Sequence, residues 1–126
     1  MAKEITVNCS LNVNNGFYNE SFTSGSPQFD QATQLSAGGI VEIGTAAATI
    51  SLGEITTAGY AVFRNLSTAT AGTAYIALGA YDGTNLYEFV SLRRGQPALL
   101  PLAAGVTIAA KAYGQAERLR YIVLAE

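Results

Sequence analysis

Ile5, Val7, Cys9, Leu11 and Val13 alternate with Thr6, Asn8, Ser10 and Asn12. This is the period of two expected of a strand with one covered and one wet face. Asn14-Asn15-Gly16 follows at once, and Asn and Gly tolerate the positive φ of a tight hairpin turn, so Phe17 to Phe22 is expected to return alongside. Further strands are expected at Gly39 to Gly44, Ala47 to Leu52, Gly59 to Leu66, Ala74 to Ala80, Leu86 to Leu92, Ala98 to Leu102, Val106 to Tyr113 and Arg118 to Leu124. Gly53, Gly72, Asp82-Gly83, Gly95, Gly105 and Gly114 punctuate them, and no useful length keeps a helical period. Even Ala46-Ala47-Ala48 runs into Thr49 and Ile50, and β-branched residues favour strands. Short strands between Gly turns predict an all-β fold, an antiparallel β-sandwich of the jelly-roll kind with about 8–10 short strands.

A chain of 126 residues is one domain's worth, and by size scaling it can bury roughly two thirds of its surface without staples. The sandwich is therefore expected to span residues 1–126, with residues 1–4 as an N-terminal arm. Residues 23–39, turn-rich from Ser24-Gly25-Ser26-Pro27 to Ala37-Gly38-Gly39, read as a loop. So long a connection in a small domain is more often an interaction loop than slack.

Composition sharpens this picture. Charged residues are only 13%, about half the usual 25%, so the outside is made from the 32 Thr, Ser, Asn and Gln side chains or is covered by a neighbour. That favours a homo-oligomer. The net charge of −2 is unevenly placed: residues 1–63 hold one Lys and five acids, and all five Arg lie at position 64 or later. Either the halves neutralise each other within one sandwich, or subunits meet head to tail.

Absences exclude whole function classes. With no His and a single Cys9, the commonest general base, the commonest zinc ligand and every CxxC arrangement are missing. Cys9 is expected to be a buried thiol. The nine acids are scattered singly rather than paired across a cleft, which argues against acid–base catalysis. The chain is thus expected to be no enzyme, with no cofactor and no metal. Arg93-Arg94 is the only adjacent basic pair, too little for nucleic acid. The start, Met-Ala-Lys-Glu-Ile-Thr, has no long apolar run, and the longest uncharged stretches, 65–81 and 95–110, are broken by Gly, Thr, Asn or Pro; no export signal and no membrane contact are expected. Asn-x-Ser occurs at Asn8, Asn19 and Asn65 and reads as chance.

Four features remain as candidate chemistry. Asp82-Gly83-Thr84-Asn85 begins like an oxygen-rich metal loop but lacks the alternating acids and terminal Glu that calcium requires, and reads as a hairpin turn. Tyr60, Tyr75, Tyr81, Tyr87, Tyr113 and Tyr121 could stack on sugars, although packing within the sandwich explains them as well. Residues 21–34 together with 1–4 are the expected partner surface, with Phe22 and Phe29 as anchors and Asp30 beside them. Arg93 and Arg94 precede Gly95-Gln96-Pro97 and share one surface only if the turn has already begun, because neighbours on a strand point to opposite faces. In that case they can meet Glu20, Asp30 or Glu42 of another subunit.

Thr57-Ala58-Gly59-Tyr60-Ala61-Val62-Phe63-Arg64-Asn65-Leu66, Tyr75-Ile76-Ala77-Leu78-Gly79, Leu92-Arg93-Arg94-Gly95-Gln96-Pro97-Ala98-Leu99-Leu100-Pro101-Leu102, Ile108 to Tyr113 and Leu119 to Glu126 together resemble small accessory virion proteins of tailed bacteriophages. The likeness covers about residues 57–126 and is a pattern of strands and one Gly-Gln-Pro turn. It implies a jelly-roll sandwich without catalysis, and a capsid decoration (cement) protein that binds the major capsid protein on the outer face of the head, as a trimer first of all because such a shell offers threefold sites. A tail or baseplate component is the alternative within that class. Outside it stands a carbohydrate-binding β-sandwich module.

Overall fold

The structure is a computed structural model that describes residues 3–31, 35–67, 74–103 and 105–125; the readings that touch residues 1, 2, 32–34, 68–73, 104 and 126 lie outside the described residues. Among the described residues twelve strands run in chain order: β1 (Ile5–Thr6), β2 (Ser10–Asn15), β3 (Tyr18–Thr23), β4 (Gln28–Phe29), β5 (Ser36–Ile43), β6 (Ala48–Thr49), β7 (Ala58–Asn65), β8 (Tyr75–Tyr81), β9 (Leu86–Leu92), β10 (Pro97–Pro101), β11 (Ile108–Tyr113) and β12 (Glu117–Ala125). Every pairing is antiparallel.

The chain divides into two compact units, Met1–Gln34 and Leu35–Glu126. The second contains two four-stranded sheets, β10-β7-β12-β5 and β6-β11-β8-β9. Counting its eight strands from β5, these orders are 6-3-8-1 and 2-7-4-5, which is the strand order of a jelly roll with two interlocked Greek keys. The expected fold class holds. Alternation makes the sandwich: on β12 Glu117, Leu119, Val123 and Ala125 are buried while Arg118, Arg120 and Ile122 are exposed, and on β7 Ala61, Phe63 and Asn65 are buried while Val62 and Arg64 are exposed. Ile43, Phe63, Leu119 and Val123 from one sheet meet Ile76, Leu78, Leu92 and Ile108 from the other in a single core cluster. Asn65 is fully buried, and its amide ties the layers: Nδ2 donates to the Leu92 carbonyl at 3.0 Å, and Oδ1 accepts the Ser67 N–H at 2.9 Å. A buried amide with both ends satisfied stabilises where an unpaired one would cost. Its burial also removes Asn65 as a glycan acceptor.

The first unit departs from the sequence reading. Its strands join neither four-stranded sheet; β1 pairs with β4, and β2 with β3. One sandwich over residues 1–126 is thereby replaced by a sandwich over the second unit and a separate N-terminal unit. The alternating run Ile5 to Val13 is split into β1 and β2, because it changes partner on the way: the Val7 N–H donates to the Pro27 carbonyl at 3.0 Å, next to the β1-β4 pairs, whereas the Cys9 carbonyl accepts the Ser24 N–H at 3.0 Å, next to the β2-β3 pairs, and the Cys9 N–H turns to Ser24 Oγ at 2.9 Å. The expected loop at 23–39 holds β4 and the start of β5. In the hairpin Asn15 pairs with Tyr18, leaving Gly16-Phe17 as a two-residue turn with only Gly16 at positive φ (60°), so glycine and not the two Asn supplies the left-handed position. Cys9 is exposed rather than buried, since no described residue of this unit is fully buried; there is no core for it to enter.

Candidate interaction surface

The N-terminal hairpin has two unlike faces. Register pairs Leu11 with Phe22, Val13 with Glu20 and Asn15 with Tyr18 on one face, and Ser10 with Thr23, Asn12 with Ser21 and Asn14 with Asn19 on the other. The second face is polar throughout, and Ser21 Oγ donates to Asn12 Oδ1 across it at 2.9 Å. The first is apolar with one carboxylate, and it is uncovered: Leu11 is 64% exposed and Phe22 59%. An isolated two-stranded hairpin is marginal in water, and an apolar face of this kind marks a contact surface. Phe29, 40% exposed, lies on β4 opposite Ile5, with exposed Asp30 beside it. The Gln31 N–H donates to Glu4 Oε2 at 3.0 Å and holds that carboxyl below its ordinary range, so the expected arm at 1–4 is fastened at Glu4.

Phe22, Phe29 and Asp30 thus share the N-terminal unit, whereas Arg93 and Arg94 belong to the sandwich. The turn has indeed begun at the arginines: the Gln96 N–H donates to the Arg93 carbonyl at 3.0 Å, and the Arg93 N–H to Gln96 Oε1 at 2.8 Å. The turn is anchored on Asn65, whose carbonyl accepts the Gly95 N–H at 2.9 Å. Arg93 is exposed and Arg94 half-buried, so the pair does not present two equally free cations. Arg93 instead borders a cavity of about 420 Å³ lined also by Tyr75, Glu88, Phe89 and Ser91.

Tyr75 and Tyr113, opposite each other on β8 and β11, stack with centroids 4.8 Å apart and planes at 18°. Lys111 Nζ lies 4.8 Å from the Tyr113 ring centroid, so this ring already has an aromatic and a cationic neighbour. The Tyr113 hydroxyl donates to Glu88 Oε1, and this bond pushes the phenol up to about 12. A raised folded value makes the contribution to stability fully present below the ordinary phenol range near 10, and lost as pH rises through about 12. Near-ultraviolet titration is therefore expected to show a phenol ionising near pH 12 that Glu88→Gln returns towards 10; unchanged titration in that variant would refute the assignment. At Asp82 the N–H groups of Asn85 (2.6 Å) and Thr84 (2.8 Å) bond Oδ1 and hold the carboxyl low, which is a turn closed by its own side chain. Among the described residues no group of three or more His, Cys, Asp or Glu is placed to hold a metal.

The outward face of the β10-β7-β12-β5 sheet was not legible in the sequence. Register sets Ile122 beside Val62 and Gly38, and Arg120 beside Arg64 and Ile40. Ile40 is 61% exposed, and Val62 and Ile122 are also exposed. Gly38 leaves a groove of about 870 Å³ bordered by Ile40, Arg120 and Ile122; a Cβ there would lie 2.6 Å from the Tyr121 carbonyl oxygen. Among the described residues the side chains of Arg64 and Arg120 have neither a hydrogen bond nor an ion pair, although like charges directly opposite on a sheet repel. The spacing Arg118-Leu119-Arg120 was the available signal, since alternate residues share a face; its match with Arg64 depended on register.

No family model matches the chain, and no curated protein matches it. Two solved structures are distantly similar. One is a chain from Bacillus endospore appendages, which form a novel family of disulfide-linked pili (18% identity, 76% of this chain and 91% of that chain, TM-score 0.46). The other is the Cnp3 cupin domain of Schizosaccharomyces pombe (17% identity, 96% and 84%, TM-score 0.44).

Proposed function

We propose that this protein is a non-catalytic structural subunit, and specifically a decoration protein that binds the major capsid protein on the outer surface of a bacteriophage head. One observation carries the adhesive part of this reading: an N-terminal unit in which no described residue is fully buried, with Leu11, Phe17, Tyr18, Phe22 and Phe29 exposed. A unit without a core gains its burial from a partner, and aromatic side chains are the usual anchors. The phage assignment rests on the resemblance of residues 57–126 to virion proteins. Cosedimentation with purified shells lacking the protein tests it. The chain should pellet with shells and not with tails or immobilised glycans, and Phe29→Asp should weaken shell binding about thirty-fold, the effect of losing an anchor worth about 2 kcal/mol. Retention on tails or glycans instead of shells would overturn the assignment.

A further inference from the structure

We infer that the outward face of the β10-β7-β12-β5 sheet receives the N-terminal hairpin of a second copy of this chain, so that subunits join head to tail. The inference extends the reading above, since it takes the protein to be an assembly subunit, but it concerns contact between copies and needs no shell. The receiving face is apolar at Ile40, Val62 and Ile122, grooved over Gly38, and carries Arg64 and Arg120 side by side without an ion-pair partner among the described residues. Its occupant must bring apolar side chains and a carboxylate on one extended surface. The β2-β3 hairpin does so: Leu11, Val13 and Phe22 share a face with Glu20.

The spacing agrees as well. Phe22 and Glu20 are two residues apart on β3, as Ile122 and Arg120 are on β12, and both steps measure about 6.6–6.8 Å along a strand. Phe22 seated over Gly38 and Ile122 therefore brings Glu20 to the arginines. The first 34 residues are acidic, with Lys3 against Glu4, Glu20 and Asp30, whereas the six basic and six acidic residues of the rest of the chain balance, so the complement to the hairpin is the local pair Arg64 and Arg120. Because donor and receiver are different surfaces, the contact is heterologous, and it closes into a ring such as a trimer or runs on as a filament according to its rotation.

Light scattering and sedimentation of the isolated chain, with circular dichroism to check folding, test this. The wild type should give a multiple of 13.1 kDa. Glu20→Arg alone, or Arg64→Glu with Arg120→Glu, should each lose the oligomer and run as a folded monomer. Mixing these two variants should restore assembly in alternation, because the Glu20→Arg hairpin meets the reversed face of the double variant while the double variant's unchanged Glu20 meets the unchanged Arg64 and Arg120 of the other, so complexes larger than a dimer that contain both variants should form where each alone is monomeric; all three changes on one chain should restore the wild-type mass. A wild type that is monomeric yet binds shells, or charge variants that keep the wild-type mass, would overturn the head-to-tail contact and leave the decoration reading standing. A wild type that assembles as described yet ignores shells would do the reverse.

Discussion

Phe63→Ala should destabilise the sandwich by about 3–5 kcal/mol, the range found when a buried aromatic is cut to a methyl group. Phe63 is 1% exposed and heads the fully buried side chains by volume. On β7 it stands between Tyr121 of β12 and Ala98 of β10, and its core includes Ala58, Ala61, Ala110, Ala112 and Ala125. Alanine has no rotamer with which to move into a void, so the cavity stays open and its lining loses dispersion contacts outright. Urea unfolding followed by circular dichroism measures the effect. Phe63→Leu should cost clearly less than Phe63→Ala, because it restores most of the volume. Measured in the monomeric Glu20→Arg background, Phe22→Ala in the exposed hairpin should change stability by no more than about 0.5 kcal/mol, as surface substitutions usually do. Equal losses for Phe63→Ala and Phe22→Ala would show that the core is not where the structure places it.

The same contrast shows what was legible beforehand. Strand existence was plain wherever alternation met a glycine turn: Leu86 to Leu92 is β9 residue for residue, and the strands expected around Gly59 to Leu66 and Arg118 to Leu124 are β7 and β12 with ends moved by one residue. Alternation is local, and along β7 and β12 buried and exposed positions do alternate. It failed at Ile5 to Val13, where the apolar pattern is as regular but the backbone changes partner, from Pro27 beside β4 at Val7 to Ser24 beside β3 at Cys9; a pattern records side-chain preference and not the partner of each N–H. Glu117, one of the nine scattered acids, is buried, with neither carboxylate oxygen hydrogen-bonded among the described residues, because the inward phase of Leu119 and Val123 extends to it. The candidate surface was half legible. Phe22 and Phe29 stood out as aromatics among polar residues, whereas Arg64 and Arg120 lie far apart in sequence and meet only through register.

Gly79→Ala should be the most damaging small substitution, at or above the upper end of the roughly 1–3 kcal/mol typical of overpacking. Gly79 sits on β8 where the pairing with β9 shifts: Leu78 faces Val90, Gly79 faces Glu88, and Phe89 is the extra residue of a bulge. The bulge brings the β9 backbone onto Gly79, so a Cβ there would lie 2.1 Å from the Tyr87 carbonyl oxygen and 2.8 Å from the Glu88 Cα. Side chains can rotate away from such a clash, but main chain held in a ladder cannot. Relief therefore requires β9, an edge strand of its sheet, to separate from β8 at the bulge. That motion would disturb Glu88, the acceptor of the Tyr113 hydroxyl. Two readouts follow from one variant: a lower urea midpoint, and a Tyr113 titration shifted back towards the ordinary phenol range. Ala77→Gly, two residues away on the same strand, should cost only about 1 kcal/mol, the usual price of glycine in a strand, and leave that titration in place. Wild-type stability in Gly79→Ala would mean that β8 and β9 do not approach as closely as the bulge requires.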